Sequence, residues 1–111
     1  MTTLNSPRGQ VWAGTVHDAP GITDDELARA NVLVSRRFEE PVAFEEVQAA
    51  EQAGASCLLT HRVQRMRSYL SADRRRMISL YQAPDAESVR LALHEASMPV
   101  ERVWAFRQFR G

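Results

Sequence analysis

The stretch Met66–Arg90, MRSYLSADRRRMISLYQAPDAESVR, decides the fold. Two strand-like runs, Val63–Ser71 overlapping its start and Arg75–Ala83 within it, are separated only by Ala72, Asp73 and Arg74. So short a link predicts a hairpin of two antiparallel strands. Pro84 then breaks the second strand and Asp85 offers an N-cap. Behind it Ala86, Val89, Ala92, Leu93 and Ala96 recur at helical spacing until Pro99 ends the run.

Outward from this stretch the pattern repeats. Val32–Phe38 reads as a strand ending before Pro41, and Val42 to about His61 as one long helix with Phe44, Val47, Ala50, Gly54, Cys57, Leu58 and His61 near one side. Val100–Phe109 is a last strand. The order β, α, β, β, α, β is the split βαβ arrangement of an α+β, ferredoxin-like fold: a four-stranded antiparallel sheet with two helices on one face. Residues 31–111 form this domain. Residues 1–30 form an arm, with Met1–Gln10 loose, a short strand expected at Val11–Val16, and a Thr23-x-x-Glu26 capping box opening a helix from Asp24 to Ala30.

A sheet covered on one face leaves the other bare. With the strand phases taken from the apolar residues, that face carries Val32, Val34, Phe38, Met77, Tyr81, Trp104 and Phe106. A patch of this kind on a single domain marks an interface, so a homodimer through the open sheet face, a sandwich or barrel, is expected.

Composition narrows the chemistry. The chain has 111 residues, and its 14 basic residues are all arginine. Without lysine there is no Schiff base and no P-loop. The 14 acids balance the charge, though four arginines face nine acids up to Glu51 and ten face five beyond it. Neutral charge, and a third strand (Arg76–Tyr81) with no glycine and one aromatic, argue against nucleic acid. No apolar run reaches the ~20 residues of a membrane span, the N-terminus has no signal-peptide pattern, and the single Cys57 cannot form an internal disulfide. A cytoplasmic protein with no membrane partner is expected. A core of this size leaves room only for a small ligand site or one shared between subunits.

Several residue sets could carry chemistry. Cys57 and His61 stand four apart on the long helix, within reach of one divalent transition metal. The competing reading makes Cys57 a small core filler and His61 a helix-end residue. A metal site would need a third donor from His17, His94, a carboxylate such as Glu51, or the partner subunit. A second set, Arg65, Arg67 and Tyr69 phased together on one strand, would join Tyr81 and Trp104 to line a pocket for a small anionic or aromatic ligand. Arg36 is phased with Phe38 beside it. The competing reading has these arginines in cross-dimer salt bridges to Glu39, Glu40 or Glu101. If the pocket is real, the chain could be a cofactor-independent isomerase, cyclase or oxygenase, with catalytic residues unknown.

The run Arg67, Ser68, Tyr69, Leu70, Ser71, then Asp73, then Tyr81, Gln82, Ala83, Pro84, Asp85, then Val89, Arg90, resembles the small ferredoxin-like nickel-binding proteins first grouped as a domain of unknown function. The likeness spans about Val32 to Phe109. It implies a dimeric α/β sandwich and nickel as the bound ion. The chain departs from that family's pattern at Arg65, where a Trp is typical, and at Ser79, where a Cys is common.

Overall fold

The computed structural model describes residues 14–106. In chain order the elements are β1 (Thr15–Asp18), α1 (Asp24–Leu27), β2 (Val32–Arg37), α2 (Phe44–Ala53), α3 (Ala55–Thr60), β3 (Gln64–Leu70), β4 (Arg76–Gln82), α4 (Ala86–Glu95) and β5 (Arg102–Ala105). The strands form one antiparallel sheet in the order β1-β3-β4-β2-β5. The α+β class and the antiparallel sheet are as expected. Among the described residues the sheet has five strands rather than four, because Thr15–Asp18, shifted along the chain from the expected Val11–Val16, pairs with the outer edge of β3. Residues 11–13 and 107–109 of the expected first and last strands lie outside the described residues.

Local chemistry explains the elements. In the β3–β4 hairpin the Asp73 carboxylate accepts from the Ser71 hydroxyl at 2.7 Å and from the Arg75 amide at 3.0 Å. Those two donors hold its carboxyl below the usual carboxylate range. Arg74 takes the left-handed conformation (φ 61°) the turn requires. The Asp85 carboxylate caps α4 by accepting from the Ser88 amide at 2.7 Å. The Thr23–Glu26 capping box forms, with both reciprocal bonds at 3.1 Å.

The long helix expected from Val42 to His61 is two helices, α2 and α3, broken at Gly54. Glycine is a poor residue for a helix interior, and at this junction it is required. A Cβ on Gly54 would lie 2.5 Å from the Cβ of Ala96 just past the end of α4, so glycine is what lets the two helical segments approach.

Two apolar clusters fill the layer between helices and sheet. In one, Leu58 of α3 and Val89, Ala92 and Leu93 of α4 cover Val32, Val34 and Tyr81. In the other, Val47 of α2 covers Leu70 and Met77, with Phe38 and Phe44 packed alongside. Each fully buried aliphatic side chain here contributes about 1.5–3 kcal/mol. Most of the expected bare face is therefore inverted: Val32, Val34, Met77 and Tyr81 are all 2% exposed or less and lie under the helices with Phe38, whereas Trp104 does stand on the open side. Both parities of β2 and β4 are apolar, so alternation alone defines two faces without saying which one the helices cover. The open face carries Leu33 opposite Leu80 and Trp104, with Ile78 opposite Tyr69.

A second departure lies in β3. Arg65 pairs with Tyr81 and Arg67 with Leu80, so Met66 is an extra residue, a β-bulge. The bulge turns Arg65, Met66, Ser68 and Leu70 inward and leaves Arg67 and Tyr69 on the open face.

Gly54→Ala is expected to destabilise the protein by about 1–3 kcal/mol in urea unfolding, as overpacking does. Adding Ala96→Gly, which removes the opposing methyl, should recover part of that loss.

Candidate functional site

Between the two apolar clusters the inward face of the sheet is polar. Arg36, Arg65, Ser68 and Ser79 are each no more than 7% exposed, and α2 lowers Glu51 toward them. Arg65 donates through Nε to Glu51 Oε1 at 2.8 Å and through Nη1 to the His17 carbonyl at 3.1 Å and Ser68 Oγ at 3.3 Å. The Tyr81 hydroxyl donates to Glu51 Oε2 at 3.2 Å, and the Ser68 and Ser79 hydroxyls share a bond of 2.7 Å. Burial, reinforced by the Glu51 charge, pushes the Tyr81 phenol far above its ordinary range, so it remains a proton donor. Phe44 stacks on His17, whose ring lies 3.9 Å away and nearly parallel, and the Arg65 guanidinium also lies over the Phe44 ring at 5.3 Å. A cleft of about 270 Å³ reaches this network, lined among others by Pro20, Gln48, Glu51, Leu59 and Arg65.

Arg36 forms the other end of the cluster. Its Nε donates to the Pro99 carbonyl at 3.0 Å, and its guanidinium stacks over Phe38 at 5.1 Å. Nη1 is buried with no hydrogen-bond partner among the described residues. Burial lowers the Arg36 pKa from its ordinary value, against the opposing pull of Tyr81 and Glu51.

The five residues expected to line one pocket are divided by the sheet. Arg65 and Tyr81 meet Glu51 on the helix side, whereas Arg67, Tyr69 and Trp104 lie on the open side. There Arg67 makes a two-pronged pair with Asp18, which holds the Asp18 carboxyl below its usual range. Tyr69 joins Leu33, Ile78 and Leu80 in lining a shallow groove of about 380 Å³. Glu101, expected to bridge to a partner subunit, pairs with Arg37 of its own chain at 3.6 Å.

Cys57 and His61 lie one turn apart at the end of α3, with Cys57 half-buried. His61 Nε2 is 3.1 Å from Glu95 Oε1 at the end of α4. His17 is held by Thr15 and Phe44, and His94 is exposed. Among the described residues no group of three or more His, Cys, Asp or Glu side chains is placed to hold one metal ion. The described residues thus offer donor pairs and no closed metal site.

The family model described as nickel responsive protein SCO4226-like matches residues 33–105, from β2 through β5. The chain belongs to this SCO4226-like family. The structure of SCO4226 from Streptomyces coelicolor A3(2) is similar to it, with a TM-score of 0.59 at 16% identity over 67% of this chain and 91% of that one. At that identity the likeness speaks for the shared fold. No curated protein matches the chain. The SCO4226-like match begins after β1 and α1, so the strand carrying His17 and Asp18 stands outside it.

Glu51 occupies the centre of the buried network, and the sequence contained a signal for it. It falls four residues after Val47 and three before Gly54, on the inward stripe of α2, where a carboxylate requires a buried partner. Glu51→Ala, which strands Arg65 in the core, should lower stability by about 3–5 kcal/mol. Tyr81→Phe should cost about 1 kcal/mol. Chemical denaturation of the two variants checks both values and their order.

Proposed function

We propose that the chain is a homodimeric protein that binds a divalent transition ion, nickel first, through Cys57 and His61. The nickel-responsive family to which it belongs is the observation that carries this reading. A thiolate and an imidazole one helical turn apart suit late first-row metals. Glu95 on one imidazole nitrogen fixes the ring and leaves the other nitrogen for an ion, an arrangement common around metal-bound histidine. Two protein donors with water completing the shell would bind weakly and exchange readily. That suits an ion that is sensed or passed on rather than locked in place.

The second half of the reading is the dimer. Leu33, Tyr69, Ile78, Leu80 and Trp104 form one apolar patch on the uncovered side of the sheet, flanked by the Arg67–Asp18 and Arg37–Glu101 pairs. A second copy turned by a two-fold axis would present the same patch and the same flanking charges. The portion from β2 to β5, with spatial order β5-β2-β4-β3, is read as ferredoxin-like with β1 added at one edge.

Calorimetry with nickel on the metal-free protein, together with elemental analysis after desalting, tests the metal. Wild type is expected to bind, and Cys57→Ser and His61→Ala to weaken binding at least about tenfold, ~1.4 kcal/mol. Nickel binding that is absent from wild type, or untouched in both variants, would overturn the assignment. Sedimentation at micromolar concentration tests the assembly: wild type should run as a dimer, and Leu80→Glu, with a charge in the middle of the patch, as a single chain.

A further inference from the structure

We propose that the buried cluster around Arg36 is a binding site for a small monovalent anion, a carboxylate or a halide. The site is independent of the metal reading and lies on other residues.

The argument begins with charge. Two guanidiniums, Arg36 and Arg65, are buried, and the half-buried carboxylate of Glu51 stands beside them. Both Glu51 oxygens are engaged, Oε1 by Arg65 and Oε2 by the Tyr81 hydroxyl. Tyr81 keeps its proton and adds no negative charge. Asp18, whose carboxylate also feels Arg65, is on the open face and held by Arg67. Glu101, at the mouth of a pocket that Arg36 lines, is exposed and paired with Arg37. Among the described residues the cluster therefore holds one positive charge more than it neutralises, in a setting where an uncompensated charge is costly.

Hydrogen bonding locates the excess. Of the Arg36 donors, Nε serves Pro99 and Nη1 has no acceptor among the described residues, although the residue is only 7% exposed. Phe38 covers one face of the guanidinium, so an acceptor approaches along its edge. An arginine in this state is a donor aimed at an acceptor that the described residues do not supply. The register places Ser79, opposite Val34, one step along the inward face from Arg36 opposite Met77.

Charge also selects the ligand class. One negative charge brings the cluster to neutrality, whereas a dianion would reverse its sign and bear a larger desolvation cost. Acetate, formate and chloride fit, and sulfate does not. The pocket of about 170 Å³ that Arg36 lines with Ser35, Arg76, Met77, Ile78 and Glu101 gives the site its route to solvent.

Chloride-35 NMR line widths on the full chain, combined with thermal unfolding in millimolar chloride, acetate or sulfate, test the proposal. Wild type should broaden the chloride line, acetate should reverse the broadening by competition, and both monovalent anions should raise Tm by several degrees in a saturable way. Sulfate at the same concentration should do neither. Arg36→Met, which keeps the stem and removes the charge, should abolish the broadening and the anion dependence of Tm, and Arg36→Gln serves as a second neutral variant if Met fails to fold. Chloride broadening that is equal in wild type and a folded neutral variant, or a wild-type Tm indifferent to acetate and chloride, would overturn it. Broadening that acetate does not reverse would overturn the shared site.

Discussion

The carboxylate of Glu51 is the point on which the interior turns. It reaches from α2 across the helix–sheet boundary and accepts from Arg65 on β3 and Tyr81 on β4, while Arg65 also donates to the β1 carbonyl of His17. One side chain thus ties a helix to two strands directly and to a third through its partner. A buried ion pair is a weak source of net stability, because desolvating both charges offsets their attraction. Its stronger effect is on geometry. The pair has to find each other, so α2 can sit on the sheet in few other registers. The apolar clusters on either side of it supply most of the free energy without imposing that choice.

The bulge at Met66 follows from the same requirement. With regular alternation, Arg65 would share the outer face with Arg67 and Tyr69 and could not reach Glu51. One inserted residue brings Arg65 to the inside while Arg67 stays outside with Asp18. Two arginines two positions apart thereby take opposite roles, one structural and buried, one at the rim of the open face.

Much of the architecture was readable in the residues. The hairpin at Ala72–Arg74, the Asp85 cap and the periodicity of α4 all depend on local chemistry, and local chemistry is what a sequence displays. The parts that were not legible depend on long-range choices. Val32, Val34, Met77 and Tyr81 alternate as well as Leu33, Ile78 and Leu80 do, so the covered face is decided by the helices. The need for glycine at position 54 depends on the end of α4, some forty residues away in sequence, and the inward turn of Arg65 on a bulge that no turn residue announces. Of the candidate site residues, Cys57 and His61 do lie one turn apart, since their relation is local to α3. Arg65, Arg67, Tyr69, Tyr81 and Trp104 do not form one set, since theirs was a matter of sheet phase.

Among the described residues the sheet ends on both sides in a short strand, β1 at one margin and β5 at the other, each four residues long. Such brief rims expose few unpaired amides and carbonyls, and β1 and β5 bring Asp18 and Arg102 to them. Ribbon-to-ribbon growth into fibrils needs a long, flat, uncharged margin to template the next molecule. Blunted margins therefore let this fold carry an oily surface through synthesis and storage with little risk of lateral polymerisation.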